Sequence, residues 1–130
     1  MSGVDWPALK AAALAVQGRA YAPYSNYHVG AALLTADGEI IAGCNVENAT
    51  FGATCCAERT AVFAAVAAGH LAFRAIAVVT NGAAPGTPCG ICRQVLAEFG
   101  RDLEVLCFTP EGAEARYLLS ELLPHAFTLK

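Results

Sequence analysis

The chain has 130 residues, enough for a single domain over 1–130 that buries roughly two-thirds of the surface its unfolded form exposes. Hydrophobic residues make up 56% and charged residues 15%, which excludes disorder and predicts that part of the surface is covered by copies of the same chain. Net charge is −3, with 8 basic against 11 acidic residues and no Lys/Arg cluster, which argues against a nucleic-acid polymer as partner.

Asp5 ahead of Trp6-Pro7 forms a helix opening, an N-cap side chain followed by proline in the first turn. Leu9, Ala12, Ala13, Val16 and Ala20 then recur at helical spacing, so a first helix is predicted to about Arg19. Residues 11–16 faintly imitate an export signal, but Asp5 precedes them and Gln17 and Arg19 interrupt them. A cytoplasmic location is expected.

Pro23, Ser25 and Asn26 break the helix. Residues 29–35 and 39–44 are apolar runs flanking Ala36-Asp37-Gly38, which predicts a β-hairpin. A loop over 45–53 leads through Thr54, the expected N-cap, into an Ala-rich helix from about Cys56 to Ala68, closed by Gly69. On that helix Ala61, Ala64, Ala65 and Ala68 fit either core filler or close packing at a subunit interface, the second being the preferred reading. The longest apolar stretch, residues 60–73, contains His70 and falls short of the ~20 residues a membrane span needs, so no membrane is expected.

Residues 75–80 are a valine-rich run typical of a strand buried on both faces. A Pro/Gly-rich loop over 81–88 follows, then a third helix from Cys89 to near Gly100 and a strand over 103–109. Pro110-Glu111-Gly112 turns the chain toward a possible fifth strand at 115–118 and a short helix from about Ser120. The order predicts an α/β fold with three α/β/α layers: a mixed five-stranded sheet, built from the hairpin and βαβ crossovers, with helices packed on it.

Six cysteines could form three disulfides in a secreted protein, but the chain is large enough to do without them. Their spacing as Cys55-Cys56 and Cys89-x-x-Cys92, with Cys44 and Cys107 isolated in apolar runs, points to metal or redox chemistry. Cys44 and Cys107 are expected to be small buried hydrophobes, and His28, His70 and His125 surface or turn residues in no ligand spacing.

Cys56-Ala57-Glu58 and Pro88-Cys89-Gly90-Ile91-Cys92 both fall where a loop becomes a helix, a position that lowers thiol pKa and clusters at the ligand-binding ends of α/β sheets. Three thiolates converging there leave a tetrahedral zinc one open position, the arrangement of a catalytic centre. Glu58 is then near enough to move protons without ligating. The three thiolates leave a net negative centre that a cation could temper; Arg59, one helical turn beyond Cys56, is placed for this, and Arg93 is a second candidate. A thioredoxin-like dithiol would leave Glu58 and Arg59 without a role. A closed structural zinc, as in a non-catalytic interaction module, would need a fourth ligand such as Cys55, whose neighbour Cys56 makes joint ligation rare.

The pairing of these motifs matches the all-cysteine variant of the zinc-deaminase signature. Together with Tyr21-Ala22-Pro23-Tyr24-Ser25, Val29-Gly30-Ala31-Ala32-Leu33, Gly43-Cys44-Asn45-Val46-Glu47-Asn48-Ala49, Cys56-Ala57-Glu58-Arg59-Thr60-Ala61, Pro88-Cys89-Gly90-Ile91-Cys92-Arg93-Gln94-Val95 and Leu122-Leu123-Pro124, the chain resembles the small homotetrameric cytidine deaminases over nearly its whole length. The resemblance implies one zinc per chain on Cys56, Cys89 and Cys92, Glu58 as catalytic proton shuttle, and substrate contacts from Tyr27, Asn45, Glu47, Ala57, Ala49 and Phe127. Asn45 and Glu47 would fix the ribose hydroxyls, while Ala49, Phe51 and Phe127 would reach a neighbouring subunit's site. Tyr27 stands where the family usually has Phe, and Phe51 where it commonly has Tyr. The implied activity is hydrolysis of cytidine and deoxycytidine to uridine and deoxyuridine with release of ammonia, in pyrimidine salvage, with no organic cofactor. Antibiotic nucleosides of the blasticidin type and polynucleotides are alternative substrates; Asn45-Val46-Glu47-Asn48 favours an ordinary ribose, and the lack of a basic groove disfavours a polynucleotide.

Overall fold

The computed structural model describes residues 3–129. Helix α1 spans Trp6–Gln17, and the Asp5 side chain accepts the Ala8 amide at 3.1 Å. It stops short of Arg19 because the Arg19 and Ala20 amides bond back three residues, to Val16 and Gln17, a tighter turn than the α-helix. Strands β1 (Val29–Thr35) and β2 (Ile40–Cys44) form the expected hairpin, closed by bonds from the Thr35 amide to the Glu39 carbonyl at 2.8 Å and from the Glu39 amide to Thr35 Oγ1 at 2.9 Å.

Helix α2 spans Ala57–Ala67, and its N-cap is Cys56 in extended conformation rather than the expected Thr54, whose hydroxyl instead accepts the Asn48 amide at 3.2 Å. Its end is a Schellman motif: the Gly69 amide bonds to Val66 and the His70 amide to Ala65, with Gly69 at φ +95°. Strand β3 (Phe73–Thr80) begins earlier than expected, since Phe73 pairs with Thr35 across a register shift. Helix α3 spans Gly90–Ala97 with Cys89 as N-cap; it ends before Gly100 because the Phe99 amide folds back to Leu96 and the Phe99 ring packs 5.1 Å from that of Phe73. Strands β4 (Glu104–Phe108) and β5 (Glu114–Leu118) and a single-turn α4 (Leu119–Leu122) complete the described chain.

The sheet order is β2-β1-β3-β4-β5, with β3 and β4 parallel and the other neighbours antiparallel. Alternation along β1 sorts the core into two layers. Ala31 and Leu33 face α2 and α3 with Ala61, Val62, Ile76, Val78 and Leu96, whereas Ala32 and Leu34 face α1 with Leu9, Ala13, Val79 and Leu106. The fold is therefore the expected three-layer α/β/α arrangement.

The alanines of α2 divide. Ala61 and Ala65 are fully buried inside the chain, so their small size draws the helix onto the sheet and they do not serve a subunit interface; Ala64 and Ala68 are exposed. Cys107 is fully buried, as expected, but Cys44 at the end of β2 is only half-buried. Among the described residues no helix is long and apolar enough to cross a membrane.

Candidate active site

The segment over residues 45–55, which carries the sugar-contact candidates Asn45 and Glu47, is held by backbone pairing on both sides. Tyr21 exchanges bonds with Asn45 (3.0 Å) and Glu47 (2.8 Å), Val46 and Cys55 bond reciprocally at 2.9 Å, and residues Phe51–Ala53 make a 3-10 turn. This returns the chain to β1 and delivers Cys56 to the start of α2. Across the sheet, the β3-α3 crossover delivers Cys89 to the start of α3. Both helix N-termini thus lie at the same end of the sheet, with their amide dipoles converging.

The Sγ atoms of Cys56 and Cys89 are 3.9 Å apart and those of Cys89 and Cys92 3.4 Å, and all three lie within 4.8 Å of one another, a group that could hold a metal ion. The Arg59 guanidinium donates to Cys56 Sγ at 3.4 Å. Arg93 is occupied elsewhere: it bonds to the Pro88 carbonyl (2.7 Å), the Leu122 carbonyl (2.8 Å) and Thr87 Oγ1 (3.0 Å), which fixes the turn carrying Cys89. Of the two arginines considered, Arg59 is the one on the sulfur.

In the metal-free protein the Cys56 thiol is pushed down to about 5 by hydrogen bonds from Cys92, then from Arg59 and Cys89, against the opposing effect of burial. The proton is retained by Cys92, which is driven upward by its bond to Cys56 and by burial. The pair therefore holds its negative charge on Cys56, beside the Arg59 guanidinium, and its proton on Cys92. We expect Arg59→Gln to raise the Cys56 value in the metal-free protein, as the first donor of positive charge is lost; thiolate absorbance followed against pH checks it.

Glu58 is only 5% exposed, and burial pushes its carboxyl up to about 7. It lines a cavity of about 170 Å³ together with Cys56, Ala57, Cys89, Asn45 and Tyr27; Val29, Thr54, Cys55, Val78, Thr80, Gly86 and Thr87 complete its walls. That is below the roughly 300–1,000 Å³ of common ligand pockets, and suits a single ring. Cys92 lies beneath, fully buried.

The remaining candidates are placed differently. Asn45 is in the cavity, but its side chain also accepts the Val29 amide (2.9 Å) and donates to the Tyr27 carbonyl (2.8 Å). Glu47 lines an adjoining hollow with Tyr24, Ser25, Asn48, Phe51 and Thr54, and accepts the amides of Tyr24 (2.9 Å) and Ser25 (3.2 Å) as well as the Ser25 hydroxyl. Thr54 is common to both hollows. Ala49 is exposed, and Phe127, 70% exposed, lies along α3, its carbonyl bonded by Gln94 at 2.9 Å. Neither lines this chain's cavity.

Sequence reasoning missed Thr80, Gly86 and Thr87 as wall residues. The Gly/Pro content of the 81–88 loop signals a turn but not which way it faces. A second group, Asp37, Glu39 and His70, also brings one ligand atom from each residue within 4.8 Å of the others, at the surface; Glu39 meets Nε2 of His70 at 2.7 Å and Asp37 meets Nδ1 at 3.5 Å.

Three thiols converging at two helix N-termini form a group that could hold a metal ion, beside a buried carboxyl whose raised pKa suits proton transfer, the donor set of a metal-assisted hydrolase class. Residues 7–109 match the model of the cytidine and deoxycytidylate deaminase zinc-binding region. The chain is 50% identical over 117 residues to a cytidine deaminase of Halalkalibacterium halodurans (88% of this chain, 89% of that one) and 43% identical over 129 residues to one of Mycobacterium tuberculosis (99% and 94%). The crystal structure of cytidine deaminase from Burkholderia pseudomallei superposes with a TM-score of 0.91 at 50% identity, over 95% of this chain and 100% of that one. The chain belongs to the cytidine and deoxycytidylate deaminase family.

Proposed function

We propose that this chain hydrolyses cytidine and deoxycytidine to uridine and deoxyuridine, releasing ammonia, as a zinc enzyme of cytoplasmic pyrimidine salvage. The observation that carries the reading is the triad of Cys56, Cys89 and Cys92 sulfurs set against buried Glu58 in a cavity sized for one ring. Zinc fits the donor set. Sulfurs at ~2.3 Å on a tetrahedral ion are about 3.8 Å apart, and the observed separations of 3.9 Å and 3.4 Å lie on either side of that distance. When bound, the metal supplies Lewis acidity that makes water at the site acidic near neutral pH.

The protein's part is proton handling and placement. With its pKa raised to about 7, Glu58 can accept one proton of the attacking water and pass it to N3 of the cytosine ring, then take the proton of the new C4 hydroxyl and hand it to the amine, which leaves as ammonia while the C4 carbonyl forms. Burial keeps competing water away from that carboxyl. Arg59 steadies the Cys56 sulfur, while Tyr27, Val29, Val78 and Ala57 enclose the base. Asn45 and Glu47 offer an amide and a carboxylate to the sugar hydroxyls, and their existing bonds to segment 24–29 hold both in a fixed orientation.

The working unit in this reading is a homotetramer. Support comes from exposed Phe51, Phe63, Val66, Leu71 and Phe127, and from the position of Ala49 and Phe127 outside the chain's own cavity, where a neighbouring copy would receive them. We expect a mixture of Glu58→Gln and Phe127→Ala variants to regain activity on subunit exchange; failure of any mixture to exceed its parents would remove the shared-site element.

Ammonia release from cytidine, deoxycytidine, cytosine, cytidine monophosphate, adenosine and a blasticidin-type nucleoside tests the whole reading, with zinc measured on the same sample. Turnover of the first two with about one zinc per chain is the expected result. Turnover of only the antibiotic would replace the substrate assignment, and no turnover with zinc bound would replace the enzyme by a zinc-stabilised module.

A further inference from the structure

The loop over residues 81–88 forms one wall of the cavity, yet its side chains are small: Asn81-Gly82-Ala83-Ala84-Pro85-Gly86-Thr87-Pro88. The bulk on that side is supplied by Tyr27. Its backbone is pinned by the amide bond to Ser25 Oγ (3.0 Å) and by Asn45 donating to its carbonyl (2.8 Å). From this base the ring runs along the loop, with Cε1 4.0 Å from where a Cβ on Gly82 would sit, and its hydroxyl ends against Gly86. A Cβ on Gly86 would lie 2.7 Å from Tyr27 Oη, closer than unbonded atoms come. Gly86 is held in turn from behind, its amide bonded to Thr80 Oγ1 at 3.3 Å, and Thr80 is buried at the end of β3. The loop therefore has little room to retreat from the phenol.

The geometry points to Tyr27 and Gly86 as a coupled, specificity-determining pair: the tyrosine hydroxyl, seated where glycine leaves space, sets the width of the cavity and with it the size of base admitted. This deepens the cytidine deaminase reading and rests on it. Two consequences follow from the packing. A methyl group at Gly86 would strike the phenol oxygen, so the ring, itself 42% exposed, has to leave its seat on the loop and the part of the cavity that it lines changes shape. Removing the phenol oxygen leaves a gap at the same point, which lets the ring swing toward the loop and widens the cavity for a base carrying an additional methyl group.

The test is a double-mutant cycle on the zinc-loaded enzyme, with KM and kcat measured for cytidine and 5-methylcytidine. Gly86→Ala is expected to raise KM for cytidine about tenfold, the effect of an overpacking strain at a contact of this kind, with a smaller change in kcat. Combining it with Tyr27→Phe removes the struck atom, and KM should return most of the way even though Tyr27→Phe alone weakens cytidine binding. A merely structural role for either residue predicts that the two losses add. Addition of the losses, or an unchanged KM in Gly86→Ala, overturns the proposal. Should Gly86→Ala fail to fold, as judged by its thermal melt, the single Tyr27→Phe variant decides: a fall of several-fold in the preference for cytidine over 5-methylcytidine supports the pair, and an unchanged preference overturns it. Absence of cytidine turnover by the unmodified enzyme would instead strike the underlying functional reading.

Discussion

Glu58→Gln should reduce kcat for cytidine by roughly 10³-fold, inside the 10²–10⁴ range that a positioned general acid–base group contributes, while leaving the fold and the zinc content intact. The substitution keeps shape and size but cannot carry a proton, and Glu58 is the buried carboxyl that lines the cavity beside the sulfurs. The same burial makes a second, opposite effect. Its folded pKa of about 7 lies above the ordinary 4.5, so the unfolded chain gives up this proton at lower pH than the folded one does. The cost to stability is absent below pH about 4.5, grows through the interval, and is fully present above about 7. In the metal-free protein, Glu58→Gln should therefore melt higher than the parent above that window, by an amount on the order of 3 kcal/mol, and equal it below. Loss of activity together with gain of metal-free stability is the signature of a residue strained for function. A variant that kept full turnover would dismiss Glu58 as the shuttle.

The parts of this molecule legible in sequence are those governed by local rules. β1 was readable to the residue, because the apolar run from Val29 to Thr35 is bounded by a turn on one side and by Asn26-Tyr27-His28 on the other. The helix starts at Cys56 and Cys89 were readable because each thiol precedes a helical run, and their convergence follows from the handedness of the crossovers that deliver both to one end of the sheet. What escaped was set by contacts between distant segments. Nothing local in residues 45–55 announces that Val46 pairs with both Tyr21 and Cys55, or that Glu47 ties down Tyr24 and Ser25. The choice between Arg59 and Arg93 was likewise open in sequence, since both lie near a cysteine; it is decided by the Pro88 and Leu122 carbonyls, which claim Arg93. The alanine bias of α2 was ambiguous for a similar reason: small residues permit close packing but do not say whether the partner is the chain's own sheet or another copy.

Close packing also identifies where the site is most vulnerable away from its chemistry. Gly43 in β2 faces the first turn of α2, and a Cβ there would come within 2.4 Å of the Ala61 amide nitrogen, 2.5 Å of Thr60 Oγ1 and 2.8 Å of the Ala57 carbonyl oxygen. Two of these are backbone atoms, so no side-chain rotation relieves the clash. Thr60 moreover ties the helix to β2 by donating to the Cys44 carbonyl at 2.8 Å. Gly43→Ala should therefore push the start of α2 off the sheet, costing about 3 kcal/mol or more, and carry Cys56 and Glu58 with it while Cys89 and Cys92 stay on α3. Displacement of about 1 Å at a reacting group can cost on the order of 10²-fold in rate, so turnover per folded molecule should collapse as well. Gly30→Ala provides the contrast. Its Cβ would strike the Ala13 carbonyl at 2.2 Å and the Gln17 amide at 2.9 Å, on the α1 face of the sheet, opposite α2 and α3. It should lower the melting temperature comparably yet leave kcat of the folded fraction within a few-fold of the parent. Thermal melts paired with turnover normalised to folded protein separate the two, and equal loss of kcat in both variants would mean that the sheet, rather than the seating of α2, transmits the damage.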